Sequence, residues 1–387
     1  MNEPGVNDRG CRKKVAHLTT VHSPFDVRIF HKECKSIARA GYDVTLIACH
    51  DKDETRDGVR IRAVPKPSGR LARVIRGVWN VYREAVRLDA DLYHFHDPEL
   101  LPAGLLLRLR GKKVVYDVHE DVSADIAVKQ YIPKVLRRVS ARTVSLLETL
   151  SAGSFSAVVP ATPTIAERFA SRDLPQVVLK NYPILEEFET ADSAAWPCKS
   201  MAVAYVGVMA RNRCIEELAQ AMAFLPTKLG ATLKLVGNFS PPSLNEELKT
   251  VKGWEHTETL GVLDRAGVAK VLAEVRAGLV VLKPTPAFLA SIPIKMFEYM
   301  CAGIPVIASD FPGFSEIVEG AKCGLLVNPE DPRAIAQAIE FVLTHPEEAK
   351  EMGRRGHEAV VTKYNWANEE RKLIQLYGTL LDSPCAA

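Results

Sequence analysis

The chain of 387 residues lacks the features of several large protein classes. No apolar run approaches the roughly 20 residues that cross a bilayer as a helix, and no apolar core follows the charged residues at the start of the chain. The eight cysteines form no CxxC pair and no zinc-type spacing with histidine. These absences predict a reduced, cytoplasmic protein that does not depend on disulfides.

Two nucleotide-binding motifs are missing as well. The first predicted strand is followed by TTVHSPFD, where a dinucleotide-binding protein has the glycine-rich turn GxGxxG. The phosphate-binding sequence GxxxxGK[ST] does not occur either. The pattern therefore disfavours a dehydrogenase and a P-loop NTPase.

Neither sign of charge dominates, since 50 Lys and Arg face 47 Asp and Glu, but the two halves of the chain differ. Residues 1–190 carry 30 basic and 24 acidic residues, against 20 and 23 in residues 191–387. A basic half beside a slightly acidic half indicates two domains that meet different partners. Because the basic residues are not interleaved with aromatic side chains, we do not expect a nucleic-acid partner.

Short apolar runs alternate with amphipathic stretches along most of the chain, which predicts βα units and parallel sheets covered by helices. The predicted strands are 15–20, 43–48, 91–96, 113–118, 157–160, 176–180, 202–206, 232–236, 259–261, 278–282, 305–308 and 324–327. The predicted helices are 29–40, 71–88, 134–150, 215–224, 265–275, 294–302 and 332–344.

The pattern pauses at 183–200, an acidic stretch with Ser and Pro but no periodicity. We therefore expect an α/β protein of two doubly wound domains, 1–185 and 201–364, joined by a linker at 186–200. An amphipathic helix within 365–387 is expected to pack back on the first domain. Ligands of such sheets bind beyond the carboxyl ends of the strands, which predicts a site in a cleft between the domains.

The segment ASIPIKMFEYMCAG contains the first candidate site. Ser291 is predicted to cap a helix that ends just before Gly303. Lys295 and Glu298 are three residues apart and so lie on one face of that helix. The lysine could neutralise phosphate while the carboxylate accepts hydrogen bonds from two sugar hydroxyls. A surface ion pair is the simpler interpretation of the spacing alone.

The loop after the first strand, VHSPFDVRIFH, holds a second group of candidates. Asp26 could orient a substrate hydroxyl and Arg28 could hold a phosphate or an acidic group, with His22 beside them. Alternatively, Asp26 and Arg28 pair with each other and hold the loop in place. The sequence leaves both interpretations open.

Histidines follow two further strands. In the motif HFHD, we expect His94 to pack in the core and Asp97 to cap the next helix, because a metal site needs three or four convergent ligands. His119 follows the predicted strand 113–118, and a lone histidine there is more often structural. The acids that come next, Glu120 and Asp121, fit a helix cap.

The stretch RLARVIRGVWNVYREAVRL is basic and amphipathic. Such a helix can dock on an anionic lipid surface, or it can bury its apolar stripe in the core. The stripe is Leu71, Val74, Val78, Tyr82 and Ala85, and the arginines off it are Arg73, Arg76, Arg83 and Arg87.

The segment PIKMFEYMCAGIPVIASDFPGFSEIV resembles the donor-site signature of the retaining glycosyltransferases of the GT4 type. Further motifs of this family follow one another in the expected order: DLYHFHDPELLPAG, VVYDVHED, AYVGVMARNRCIEELAQAM, LKLVGN and GLLVNPEDPRAIAQAI. The resemblance covers nearly the whole chain. It implies the GT-B fold, in which two Rossmann-like domains face each other across a cleft.

The resemblance also implies an activity, the transfer of a sugar from a nucleotide diphosphate donor to an acceptor hydroxyl, with retention at the anomeric carbon. UDP is the family's usual nucleotide, and neither a metal ion nor another cofactor is required. Carried over by position, the donor-site residues are Glu298 on the ribose, Arg213 and Lys295 on the diphosphate, and the backbone of Gly207, Gly261, Val262 and Leu263. On the acceptor side, the candidates are His119 and Asp26 as catalytic residues, with Arg28 and His22 as binding residues.

Three positions depart from the family pattern. Ala290 stands where an earlier glutamate often contacts the donor sugar, Val208 replaces an arginine, and Cys214 replaces a glycine. The missing glutamate leaves the donor sugar open.

The acceptor could be a lipid-linked glycan, in surface polysaccharide or glycoconjugate assembly, or a small molecule. With the first, the basic half would lie on the inner face of an anionic membrane. Two alternatives remain: a nucleotide-sugar epimerase on the same architecture, and a catalytically silent, nucleotide-binding partner subunit.

Overall fold

The computed structural model describes residues 12–69, 72–119, 134–170, 174–188, 196, 199–289 and 291–382, without the side chains of 134–141. The chain divides into two compact units. Unit 1 is Met1–Asn181 together with Ala367–Ala387, and unit 2 is Tyr182–Trp366. Each unit is built on one sheet, which confirms the predicted α/β class.

The sheet of unit 1 has seven strands in the order β3-β4-β2-β1-β5-β6-β7. All neighbours are parallel except β3 and β4. The strands are β1 Lys14–Leu18, β2 Asp43–Cys49, β3 Glu54–Arg56, β4 Val59–Val64, β5 Leu92–Phe95, β6 Lys113–Val118 and β7 Ala157–Pro160. Because helices cover both faces, β5 and β7 are buried along their whole length.

The helices of unit 1 include two π-helical stretches, and π-helices are frequent at functional sites. The π-helices are Val27–Cys34 and Arg73–Gly77; the α-helices are Lys35–Arg39, Val78–Leu88, Leu101–Leu109, Lys134–Ala152, Pro163–Glu167 and Trp366–Asp382, the last belonging to unit 1 from Ala367 onward. In the described residues, no helix combines the length and apolarity needed to cross a membrane.

The sheet of unit 2 has six parallel strands in the order β10-β9-β8-β11-β12-β13. The strands are β8 Ala202–Val206, β9 Thr232–Val236, β10 Thr257–Gly261, β11 Ala277–Val280, β12 Val306–Ser309 and β13 Gly324–Val327. The α-helices are Ile215–Met222, Leu244–Leu248, Arg265–Glu274, Pro286–Leu289, Ile294–Cys301, Pro312–Ala321, Pro332–Thr344 and Pro346–Thr362.

One predicted strand is wrong, and one predicted apolar stripe is wrong in part. Residues 176–180 are not a strand, because beside β7 they form only an isolated bridge from Gln176 to Val158. The apolar stripe of the basic helix is confirmed in part, because Ala85 is buried and Val78 and Tyr82 pack against the core. Val81 is buried as well, Val74 is 44% exposed, and Leu71 lies outside the described residues.

Candidate functional site

The amine of Lys295 is buried at the carboxyl end of β8. The helix Ile294–Cys301 carries it over the ring of Tyr205, with Nζ 3.7 Å from the ring centroid. Among the described residues, Nζ has no hydrogen-bond partner. Burial, and then the positive charge of Arg213, lower the pKa of Lys295 well below its usual range. A buried amine that lacks a hydrogen-bond partner among the described residues fits an anionic ligand group.

Glu298 has a different cation beside it. Its Oε1 accepts a 2.6 Å hydrogen bond from Nη1 of Arg265, and Arg265 also donates to Glu187. Only 6% of the Lys295 residue and 4% of Glu298 are exposed. The interpretation of Lys295 and Glu298 as a surface ion pair is therefore wrong. Both residues are buried, and the hydrogen-bonded partner of Glu298 is Arg265. From the sequence, Arg265 is predicted only as the first residue of a helix.

Glycines shape the loops at the ends of β8 and β9. Gly207 has φ +132°, and a Cβ atom there would lie 3.0 Å from Nζ of Lys295. A Cβ atom on Gly237 would lie 2.1 Å from the carbonyl oxygen of Gly207. The backbone of Gly237 also donates a 2.7 Å hydrogen bond to the carbonyl of Gly261. Glycine at 237, which the sequence analysis did not single out, allows these three loops to meet.

The remaining donor-side candidates lie on the same loops. Arg213 ends a short 3₁₀ turn and lies over the ring of Phe288, with Cζ 5.6 Å from the ring centroid. Cys214 follows with φ +52°, a conformation that favours glycine, which is the residue of the family pattern at this position. The side chain of Val262, beside Gly261, is 74% exposed. Ala290 lies outside the described residues.

In unit 1, the buried carboxylate of Asp117 connects the candidates of the first half. It accepts hydrogen bonds from Nε of Arg28 at 3.0 Å and from Nη2 of Arg28 at 2.7 Å. Its Oδ2 also lies 2.9 Å from Nδ1 of His96 and 3.3 Å from Nδ1 of His119. Burial alone would raise the pKa of Asp117, but the charge of Arg28 holds that pKa well below its usual range.

Arg28 and Asp26 therefore have separate partners. Arg28 is 5% exposed, and its Nη1 donates a 2.9 Å bond to the carbonyl of Leu179, so it holds Asp117 in place. Asp26 caps the π-helix by accepting from the backbone of Arg28 at 2.8 Å and of Ile29 at 2.9 Å. The predicted alternative of an Asp26–Arg28 side-chain pair is replaced by these contacts.

His119 and His22 form the accessible end of this network. Their Nε2 atoms are 3.1 Å apart, with 13% of the His119 side chain and 24% of the His22 side chain exposed. His22 also lies 3.7 Å from Asp26. The structure thus brings together Arg28, His119, His22 and Asp26. Arg28 and His119 contact Asp117 directly, and His22 is linked to it through His119. Such a network can orient a hydroxyl group and support charge beside it.

Two predicted caps are wrong. Asp97 precedes a 3₁₀ turn, but its side chain does not cap it. The carboxylate instead accepts from Oγ1 of Thr19 at 2.9 Å, which holds the loop after β1. The helix Ile294–Cys301 begins at Pro293 without a side-chain cap, so Ser291 does not have the predicted role. Glu120 and Asp121 lie outside the described residues.

Two family models match the chain, one in each half. Residues 27–181 match "Glycosyl transferase 4-like domain", and residues 200–345 match "Glycosyl transferases group 1". The chain belongs to the group 1 glycosyltransferases of the GT4 family. The family resemblance of the sequence motifs is thereby confirmed.

Individual relatives agree with this family. The chain is 31% identical over 140 residues to phosphatidyl-myo-inositol mannosyltransferase of Mycobacterium leprae, which is 36% of each chain. For two further curated relatives, the part that this chain matches is less than half of the relative's length.

Solved structures share the fold at low sequence identity. Sucrose-phosphate synthase from Thermosynechococcus elongatus has a TM-score of 0.77 at 20% identity, covering 96% of this chain and 100% of that one. HepE of Anabaena, in complex with UDP-glucose, has a TM-score of 0.71 at 14% identity, covering 95% and 99%. The GT-B fold of this glycosyltransferase is thereby confirmed.

Proposed function

We propose that this glycosyltransferase moves a sugar from a UDP-sugar to an acceptor hydroxyl, with retention at the anomeric carbon. The observation that carries the proposal is the buried amine of Lys295, which lies beside Gly207 and has no hydrogen-bond partner among the described residues. A diphosphate would supply acceptor oxygens and negative charge for it. Family membership supports the same conclusion.

Unit 2 would bind the donor. Lys295 and Arg213 would contact the diphosphate, and their charges would stabilise it as the leaving group. Glu298 would accept hydrogen bonds from the ribose hydroxyls, because Arg265 holds its carboxylate in a fixed position. The exposed backbone at 261–263 would lie against the base.

Unit 1 would bind the acceptor. His119 would contact the reacting hydroxyl, since its Nδ1 faces the carboxylate of Asp117 and fixes the orientation of the ring. Asp26 and His22 would bind beside it, while Arg28 acts through Asp117. Catalysis would then depend on positioning and on charge stabilisation at the diphosphate, with no metal ion required.

The helix of unit 1 that contains Trp79 supports an acceptor held at an anionic membrane. Ile75 is 61% and Trp79 58% exposed, and Arg76 and Arg83 on the same segment are exposed as well. Exposed apolar groups beside arginines are typical of helices that lie on anionic lipid. The relative from Mycobacterium leprae is named for transfer to a phosphoinositide, which agrees with a lipid-linked acceptor in glycoconjugate assembly.

A thermal-shift screen against UDP-, GDP- and ADP-sugars tests the donor, because a ligand that binds the folded state raises Tm. We expect UDP-sugars to give the largest shift. Incubation of the stabilising sugar with and without acceptor then separates the activities. Conversion without acceptor would indicate an epimerase, and binding without any conversion would indicate a silent subunit.

A further inference from the structure

Three histidines and one glutamate meet in the interior of unit 1, behind the proposed acceptor site. His17 lies on β1, His94 on β5, and His96 directly after β5. Glu33 reaches them from the π-helix Val27–Cys34. All four side chains are fully buried.

The four groups are close enough to share one ion. Oε2 of Glu33 lies 3.9 Å from Nδ1 of His17, 3.8 Å from Nδ1 of His94 and 4.0 Å from Nε2 of His96. The His17 and His96 nitrogens are 2.9 Å apart. Around a tetrahedral zinc ion, with bonds of 2.0–2.2 Å, ligand atoms are about 3.4 Å apart. The observed separations lie on both sides of that value, so side-chain adjustments of about half an ångström bring the ligands into place.

Glu33 is the part of this cluster that calls for a ligand. In the described part of the chain, neither of its carboxylate oxygens accepts a hydrogen bond, although Nε of Arg28 lies 3.1 Å from Oε1. Nε2 of His94 is equally without a partner among those residues. Arg28 is thus the ion-pair partner of Oε1 but gives its hydrogen bonds to Asp117, and Oε2, which faces the histidines, has no hydrogen-bond partner among the described residues. Buried carboxylate oxygens are normally hydrogen-bonded or bound to metals.

The outer contacts of His96 and His17 are also those of metal ligands, while Nδ1 of His94 lies 2.7 Å from the hydroxyl of Tyr377 and would exchange that contact for the ion. Nδ1 of His96 faces Oδ2 of Asp117 at 2.9 Å, which leaves Nε2 directed at the cluster. Nε2 of His17 lies 3.2 Å from the hydroxyl of Tyr377, which leaves Nδ1 directed there. Ligating histidines almost always donate their second N–H to a carboxylate or another acceptor, and this fixes the ring.

We propose that His17, His94, His96 and Glu33 bind a structural divalent cation of the zinc type. Three imidazoles and one carboxylate suit tetrahedral zinc, and a fully buried site with four protein ligands is closed, as structural sites are. A metal at HFHD is disfavoured by the sequence alone, because that motif offers too few ligands. β1 and the π-helix supply the other two.

The ion would stabilise unit 1 without taking part in sugar transfer. It ties β1 and β5, at the centre of the sheet, to the π-helix that carries Arg28 and Glu33. Through His96 it also fixes Asp117, the carboxylate that faces His119. The proposal does not depend on the donor or the acceptor of the enzyme.

The test is the zinc content of the full chain, purified without a histidine tag from zinc-supplemented medium and desalted. We expect about one zinc per chain by elemental analysis. After removal of the metal with a chelator, titration with Co²⁺ should give the intense visible absorption of tetrahedral cobalt. This second measurement needs no variant, so it decides the proposal even if variants fail to fold.

Glu33→Gln, which keeps the shape of the side chain, should bind zinc at least about 100-fold more weakly. Residues that only hydrogen-bond to a metal ligand typically cost less zinc affinity than this when they are replaced. His256→Gln, an exposed histidine of unit 2, should bind like the unmodified chain. The proposal is overturned if the native chain holds no zinc and gives no tetrahedral cobalt spectrum. It is also overturned if folded Glu33→Gln binds zinc as tightly as the native chain.

Discussion

Nη1 of Arg265 donates a 2.6 Å hydrogen bond to Oε1 of Glu298, 33 residues further along the chain. The guanidinium also lies over the ring of Phe188, with Cζ 5.3 Å from its centroid, and donates to Glu187. Glu298 is therefore a buried carboxylate with a fixed position and a strong partner. It is ready to accept hydrogen bonds from a diol with little reorganisation.

Replacing Glu298 by alanine should weaken UDP-sugar binding and lower kcat/KM by about 100-fold or more. Two hydrogen bonds to a charged acceptor are lost, each worth about 1.5–3 kcal/mol. Steady-state kinetics and calorimetric titration with UDP measure the effect. Glu316→Ala, an exposed glutamate on the next helix, is the matched control. Near-normal turnover by folded Glu298→Ala would exclude the proposed donor site.

Lys295→Met should stabilise the ligand-free protein and abolish most of its transfer activity. The buried amine has no hydrogen-bond partner among the described residues, so an apolar side chain of similar length removes a desolvation cost. We expect a gain of at least about 1 kcal/mol, or about 2–4 °C in Tm, with a loss of about 100–1,000-fold in kcat/KM. Lys228→Met on the surface should change neither quantity. A lower Tm in Lys295→Met would contradict this account of the site.

The same lysine should give the free energy of unfolding a defined pH dependence. Its pKa in the folded chain lies below the usual value, so in the window between the two pKa values the unfolded chain binds more protons. Stability therefore rises with pH through that window, and it falls as Lys295 is forced to protonate. Urea unfolding at a series of alkaline pH values should show this rise in the native chain. An identical profile in Lys295→Met would show that the lysine does not cause it.

His119→Ala should lower kcat by about 100–1,000-fold and leave the affinity for UDP unchanged. The histidine belongs to the acceptor side, where it faces Asp117 and His22 at 3.3 and 3.1 Å. Turnover measured beside calorimetric titration with UDP separates the two effects. His345→Ala, on the surface of unit 2, serves as the control. A loss of UDP affinity equal to the loss of turnover would move His119 to the donor site.

Membrane docking should depend on Arg76, Arg83 and the exposed Trp79, which lie on the basic helical segment 73–88 of unit 1. Arg76→Glu together with Arg83→Glu should weaken binding to anionic vesicles by about 100–1,000-fold, because each arginine contributes about 1 kcal/mol and reversal doubles the change. Trp79→Ser should weaken it independently of salt. Vesicle sedimentation measures both, with Arg354→Glu in unit 2 as the control.

Arg73 is unsuitable for this test because it donates a 2.9 Å bond to Glu99. Unchanged binding in the double variant would reject docking through this helix.

The buried strands could be predicted from the sequence because they are continuous apolar runs between turn residues. The predicted bounds of β6, β7, β8, β9 and β13 agree with the structure residue for residue. The hairpin of β3 and β4 was missed because its strands are short and partly charged. A signal was present, since Asp57 and Gly58 form a DG turn with φ values of +50° and +79°.

The site was predictable where residues lie close together in the sequence or where a family motif marks them. Lys295 and Glu298 share one helix, and the family motif points to both. Arg265 was missed because nothing in its own segment shows that it faces Glu298. His17 and Glu33 were missed for the same reason, since β1 and the π-helix meet β5 only in the folded sheet. Convergence of this kind depends on strand order, which the sequence does not reveal.

The hydroxyl of Tyr377 lies 2.7 Å from Nδ1 of His94, yet the 185 residues of unit 2 separate Tyr377 from the rest of unit 1 in the chain. During synthesis, the ribosome completes unit 2 before it makes this helix. Unit 2 can therefore fold as a continuous stretch, while the histidine cluster of unit 1 has to wait for residues 367–382. A nascent chain arrested before Trp366 would expose the apolar surface that this helix covers, so unit 1 cannot be completed until this helix has been made.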